Sequence, residues 1–582
     1  MDNTQNIKYM LANPKPDLSE LEDEIRSIFS TPEFKLNDLQ VKALAIICKY
    51  GCLFGNLPVG SGKTIVSLAA GLVHRSKRCI LFVPSDLIAQ LTIVDIKHFE
   101  TILGYKLDWC CLDGKSQKDR IHMMDKHRIT IIPYSLLSTK DTFDLIEASY
   151  ADMVIFDEAH CLSDTKSART RRIMSYLNKN TEINIVLLSG TMSSKSLLDY
   201  HHTIARALHQ FCPLPFSYYD VKLIQDATAW DREDKFTKCI PLCRINPKLD
   251  QGGGVVNVDK ARKFLRTLLN ASPCVIISDA QSVNCSMMVH VIDDVKLPEK
   301  LIKIIDEVDA TWTTPSGDLI MDAIVKYGIC SELSDGFWYR KYWPKGTPDW
   351  AIELFRKEKE LESMIRSFIL KRHRDKLDTP LLVYEALYHG NDPRLERIQP
   401  FYNEFRQECE KHDEEFERKS ETRWICHSKE KEAIKWCKGR KKGILFYEWD
   451  ATGESLYKTL KEQGFDVVFC PSNCDPELLK KNCFQVMSYA HHRGKNLQHQ
   501  FETLFYNLPK NAKILEQAMG RTHRQGQKAD CVSYWFILAT KQDRAAFRRI
   551  ILKAKWQETT MQQQKILIAS FAQPEYAELV RE

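Results

Sequence analysis

No apolar run in this 582-residue sequence reaches the roughly 18 residues that a membrane-spanning helix needs. The opening residues, MDNTQNIKYM, are polar and lack the apolar core of a secretory leader. No membrane partner is expected, and the secretory route is not the expected destination. A dominant charge is lacking too. Lys and Arg number 83 against 77 Asp and Glu, a net charge of +6 with a pI near 8.4. A pI above about 9 is the usual footprint of a nucleic-acid-binding domain, so charge alone permits that partner without establishing it. The 19 cysteines show no disulfide-framework spacing, and several sit in apolar runs such as CILFVP, as reduced buried thiols do. The CxxxC pairs Cys239/Cys243 and Cys470/Cys474 have no second matched pair nearby to complete a structural zinc site.

What is present is an alternation. Between 36 and 215, short β-rich runs (GCLFGNL, RCILFVP, RITIIPY, ADMVIFDEAH, INIVLLSGT) alternate with helical stretches. Several runs are apolar throughout, as strands buried on both faces are. This predicts an α/β fold with a parallel sheet covered by helices. The rhythm breaks from 216 to 440, where tryptophans and long charged helical patterns dominate, and resumes in KKGILFYEW, GFDVVFCP, CFQVMSY, FETLFYN and CVSYWFIL. The expected division is a helical segment at 1–35, a first lobe at 36–215, a mainly helical insert at 216–440, a second lobe at 441–545, and a C-terminal helix and tail at 546–582. Leu18, Leu21, Ile25 and Ile28 give the first segment its helical spacing.

Three stretches carry chemistry. LPVGSGKT (57–64) lies between a strand and a helix. Its glycines, Gly60 and Gly62, let the loop Pro58, Val59, Gly60, Ser61 and Gly62 curl so that the N–H groups it has surround phosphate oxygens at a helix N-terminus. Lys63 would neutralise the β and γ phosphates, and the Thr64 hydroxyl would hold Mg²⁺. MVIFDEAH (153–160) ends an apolar strand in two acids: Asp157 to reach the same metal ion, Glu158 to orient or deprotonate the attacking water. His160 either links this site to neighbouring segments or caps the turn. In EQAMGRTHRQGQ (516–527), Gln517, Arg521 and Arg524 fall at i, i+4, i+7, the spacing of one helix face. Arginines delivered from a second lobe to a γ-phosphate stabilise transition-state charge.

Taken in order, GSGKT, DEAH, SGT and QAMGRTHRQGQ resemble motifs I, II, III and VI of superfamily-two helicases, and QAMGRTHRQGQ is similar to the signature of the Swi/Snf-type ATPases. LNDLQVKAL (36–44) resembles the segment before motif I, ILFVPSDLIAQ (80–90) motif Ia, GILFYEWDATGESLYKTLKEQG (443–464) motif IV and VMSYAHHRGKNLQ (486–498) motif V. Motif I departs from the family's D-E-M-G-x-G-K-T, and motif V lacks S-T-R-A-G-G.

The resemblance implies two RecA-like lobes with ATP and Mg²⁺ between them, and a compact viral or bacterial relative working in cytoplasm or nucleus. It implies that Gln40 faces the nucleotide base, that Gly494 and Gln517 belong to the nucleotide site, and that Ser189, Gly190 and Thr191 couple the site to movement together with His160. It also places Pro84, Ser85, Tyr134, Ser135 and Ser488 on nucleic acid. The activity implied is a nucleic-acid-stimulated ATPase that translocates on double-stranded DNA. The alternatives are a strand-separating DNA or RNA helicase and a nucleotide-gated scaffold without turnover. A strand-separating enzyme needs a wedge hairpin or aromatic pin, which the insert, with Trp312, Trp338, Trp343 and Trp350, can supply. The basic cluster KGRKKG (438–443) is either a phosphate contact or a solvated surface.

Overall fold

The computed structural model describes residues 2–29, 31, 34–57, 61–190, 196–232, 234–277, 285–371, 377, 379–390, 392–412, 418–474, 481–492, 496–509, 512–524 and 527–561. Its strands, in chain order, are β1 Leu53–Asn56, β2 Cys79–Val83, β3 Trp109–Cys111, β4 Ile129–Pro133, β5 Met153–Asp157, β6 Asn184–Ser189, β7 Phe236–Lys238, β8 Val255–Asn257 and β9 Val275–Ile277. They continue with β10 Ser286–Ile292, β11 Phe337–Tyr342, β12 Lys419–Trp424, β13 Gly443–Tyr447, β14 Val467–Cys470, β15 Phe484–Ser488, β16 Glu502–Phe505 and β17 Cys531–Ile537. Two sheets dominate: a seven-stranded one ordered β3-β4-β2-β5-β6-β1-β9 and a six-stranded one ordered β10-β17-β16-β13-β15-β14. Every neighbouring pair in both is parallel. Central strands such as β2, β4, β5, β13 and β15 are buried at all five positions, which is why they read as unbroken apolar runs. These are the two RecA-like lobes.

The lobes are larger than their sequence rhythm suggests. β9 and β10 both fall inside the stretch expected to be insert, yet β9 is the edge of the first sheet against β1, and β10 is the edge of the second against β17. The first lobe's core runs from Ile7 to Ile276 and takes in the helices Tyr218–Thr228 and Val258–Ala271. The N-terminal helices belong to it as well. In Ser19–Ile28, Ile25 is buried and Leu18 and Leu21 pack partly against the core. Ile28, expected on the same face, is 60% exposed because the helix ends there.

Between β10 and β13 the chain forms a helical body, from Glu299 to Cys437, with two small cores of its own. It carries the antiparallel ribbon β11–β12. A buried polar cluster joins it to the second lobe. Asp335, fully buried, accepts from Lys429 Nζ (3.0 Å), Thr452 Oγ1 (2.7 Å) and Asn507 Nδ2 (2.6 Å). Burial raises the Asp335 carboxyl above its usual range, against the pull of Lys429. Burial also works to lower the Lys429 ammonium, but Asp335 and Asp543 outweigh it and hold it above its ordinary value. Beside them, Ser334 Oγ donates to Asp543 Oδ2 (2.6 Å), the carboxylate that caps the last helix, Lys541–Met561. That helix runs back to the first lobe: Trp556, 3% exposed, donates its indole N–H to the Thr228 carbonyl at 2.7 Å. Among the described residues, no helix is long and apolar enough to cross a membrane.

Candidate active site

β5, β6 and β1 are adjacent in the first sheet, so Asp157, Ser189 and Leu57 come together at their carboxyl ends, where open α/β sheets bind ligands. The helix Lys63–Val73 starts there, with Gly62 as its N-cap at φ 76°. Left-handed backbone favours glycine, and a Cβ at this position would collide with the Gln40 side-chain amide. Lys63 Nζ lies 3.5 Å from the Leu57 carbonyl and 4.0 Å from Glu158 Oε1. Asn56, 1% exposed at the end of β1, keeps its Oδ1 without a donor among the described residues. An orphaned buried acceptor beside the phosphate loop was not anticipated from sequence.

Gln40, expected to face the nucleotide base, lies at the mouth of the phosphate loop. Its Oε1 accepts from the Asn37 N–H (2.9 Å) and its Nε2 donates to the Gly62 carbonyl (3.3 Å). Both ends of the amide are engaged with backbone, so Gln40 ties the helix Asp38–Tyr50 to the start of the helix Lys63–Val73.

Glu158 follows β5 in left-handed backbone, φ 54° and ψ 51°. For a non-glycine residue this costs on the order of 1–3 kcal/mol and persists only where the surroundings impose it. They do: Glu158 Oε2 accepts from Ser189 Oγ (2.9 Å) and lies 3.0 Å from His160 Nδ1, while His160 Nδ1 and Ser189 Oγ are 2.9 Å apart. Ser189 is fully buried. Three residues from two strand ends thus form a closed triangle around one carboxylate oxygen. Burial works to raise the Glu158 carboxyl, but Lys63 and the His160 hydrogen bond overcome it and hold the group well below the ordinary range. Its neighbour moves the other way. Burial, then the Glu158 charge, push Asp157 up to about 7. Asp95, on the π-helical turn Leu91–Asp95, adds to that push and is a contributor the motifs did not flag.

A buried carboxylate, a hydroxyl at a helix N-terminus and an adjacent ammonium are the donor set that suits Mg²⁺ with a polyphosphate, so Thr64, Asp157 and Lys63 fit that group.

On the second lobe, Gln517 (2% exposed) and Arg521 lie on the helix Ala512–Thr522, but Arg524 falls two residues beyond its end. The expected single helical face therefore breaks after Arg521. Arg521 Nε donates to the His492 carbonyl at 2.8 Å, within its own lobe. A cation of this lobe whose charge does reach Glu158 is Lys513, in the first turn of the same helix. No motif drew attention to it.

Of the residues placed on nucleic acid, Ser85 and Ser135 are exposed and their hydroxyls meet at 2.9 Å, though they come from different strand ends. Pro84, Tyr134 and Ser488 are buried. Tyr134 donates to the Asp157 carbonyl (3.0 Å), and the Ser488 hydroxyl accepts from Ala490 N. Gly190 follows β6 directly and is buried. Pro58, Val59, Gly60, Thr191 and Gly494 lie outside the described residues.

Residues 37–200 match the family described as DEAD/DEAH box helicase. No curated protein matches the chain. The matched segment spans Gln40, Lys63, the Asp157–Glu158 pair and Ser189, and it supports a helicase-type ATPase domain in the first lobe.

Proposed function

We propose, from a DEAD/DEAH box helicase domain set beside a second parallel sheet, that the chain is an ATP-driven motor that translocates on double-stranded DNA in the Swi/Snf manner. It would serve replication, recombination, repair or protein displacement. The observation that carries the motor reading is the triangle of Glu158, His160 and Ser189, which ties the water-handling carboxylate to the strand end that leads out of the site. The duplex preference rests on QAMGRTHRQGQ in the second lobe.

Lys63 is the residue through which nucleotide arrival is felt. It lies 4.0 Å from Glu158 and helps hold that carboxylate ionised and weakly basic. Drawn onto the phosphates, Lys63 leaves Glu158, whose proton affinity then climbs toward that of a useful base. Ser189 and His160 keep the carboxylate aimed while it takes the proton of the attacking water. Asp157 and Thr64 would hold Mg²⁺, which neutralises charge on the phosphate oxygens. Arg521 and Arg524 would close from the second lobe onto the γ-phosphate, with Lys513 as a further cation of that lobe whose charge lowers the proton affinity of Glu158. Gly190 and Thr191, leaving β6, would carry the movement away from Ser189.

Strand separation is the second reading, and the ribbon β11–β12 favours it: Tyr339 and Tyr342 are exposed on it. A triplex-displacement assay run beside a duplex-unwinding assay decides. Displacement without unwinding is expected; unwinding of a forked duplex transfers the assignment to the helicase reading.

A further inference from the structure

On one side of β11–β12 lies a groove of about 610 Å³ with four cationic side chains, Arg340, Lys341, Arg418 and Arg423, and aromatic walls from Trp338, Trp343 and Phe355. The register puts Trp338 opposite Arg423 and Arg340 opposite Glu421, so these side chains share a face of the ribbon. Carboxylates near these cations and Lys359 are fewer by one: Glu421, Asp318, Glu358 and Glu362, the last paired with Lys359 at 2.6 Å. Glu421 serves both Arg423 (2.7 Å) and Arg340 (3.7 Å), and Asp318 serves both Arg418 (3.0 Å) and Lys359 (2.7 Å). Lys341 alternates to the Phe337 side of β11 but still lines the groove; it is exposed and makes no ion pair among the described residues. Positive charge is therefore left over, in a ribbon whose flanks add Lys345 and Lys419.

The aromatics are not simply core. On the other face, Phe337 packs on Trp424 at 5.0 Å and is fully buried. Trp338, Trp343 and Phe355 keep partial exposure. Arg418 already lies 4.4 Å above the Phe355 ring and 6.0 Å from Trp343, so this wall accepts flat cationic and π partners. Alternating cations and half-exposed rings along one groove form the surface that tracks a phosphate backbone while unpaired bases stack.

We propose that this groove binds a single nucleic-acid strand, phosphates on Arg340, Lys341 and Arg423 and bases against Trp338 and Trp343. It rests on the reading of the chain as a nucleic-acid motor, in the strand-separating form that the same ribbon favours, and adds a grip outside the two sheets. Because the helices that carry the ribbon are joined to the second lobe through Asp335 and Lys429, the grip travels with that lobe. One stroke of the lobes would then pull on strand held at two places.

The test is fluorescence anisotropy of a labelled oligothymidylate across a salt series, without ATP. Wild type, Arg340→Gln/Lys341→Gln/Arg423→Gln and Trp343→Ala are compared, each also in a Lys63→Ala background. The triple variant is expected to bind at least about tenfold more weakly, with its salt slope reduced by about two, as loss of three phosphate contacts on a single strand requires. Trp343→Ala is expected to weaken binding about tenfold with the slope unchanged. Melting temperature and nucleic-acid-free ATPase should not move in the triple variant. Equal affinity and slope in wild type and triple variant overturn the proposal. So does a groove that takes polyglutamate, in a variant-sensitive way, while oligothymidylate binding is unaffected. Lys63→Ala separates the two readings, since the groove can bind strand in a chain that cannot turn over, and turnover can survive where the groove binds nothing.

Discussion

Glu158 sits between two controls: Lys63 at 4.0 Å lowers its proton affinity, and Ser189 with His160 fixes one of its oxygens. Ser189→Ala removes one hydrogen bond to a charged group, an interaction of about 1.5–3 kcal/mol. Loss of about 10- to 100-fold in turnover is expected, with nucleotide affinity kept. Equilibrium nucleotide binding and phosphate release measured on one preparation check this; unchanged turnover would leave Ser189 a structural residue at the end of β6. That Glu158, His160 and Ser189 would lie together was legible because SGT and DEAH are recognisable strings. Asn56, Asp95 and Lys513 were not, because what distinguishes them is proximity in space, as orphaned acceptor or as charge near a buried carboxylate. Gln40 was legible as a neighbour of the phosphate loop, but its hydrogen bond to the Gly62 carbonyl is not something a linear pattern encodes.

Strands announce themselves when they are long and buried on both faces. β2, β4 and β5 do; β9, three residues long, does not, and β10 finds its partner β17 some 240 residues further on, beyond the reach of any local rhythm. The joint at Asp335 was equally hidden, since its members come from four separated elements. Lys429→Met would leave a buried carboxylate unpaired, a loss of about 3–5 kcal/mol. The pH response has a definite sign. Burial already raises Asp335, and loss of Lys429 raises it further, so the folded state holds a proton that the unfolded chain releases. The variant's stability is therefore greatest below the unfolded pKa and falls as pH rises through the folded one. Urea unfolding at several pH values should show the gap to wild type narrowing toward acid; a gap that widens toward acid contradicts the placement of Asp335.

At the scale of the whole molecule, the last helix is one physical link between the lobes among the described residues. Trp556 is buried where that helix crosses the first lobe, and its indole holds the Thr228 carbonyl. Trp556→Ala should cost about 3–5 kcal/mol and split one thermal transition into two, while Trp556→Phe, which keeps most of the bulk, should retain one. Calorimetry reads both, and a single transition at the wild-type temperature in the alanine variant would show that the lobes are tied elsewhere. The central claim is that the carboxyl ends of β1, β5 and β6 turn over ATP in response to nucleic acid. Phosphate release measured with and without duplex DNA, in wild type and in Lys63→Ala, tests it most directly. Duplex-stimulated release in the wild type and its loss in Lys63→Ala are expected; release that persists in Lys63→Ala, or that ignores nucleic acid in the wild type, would contradict the account.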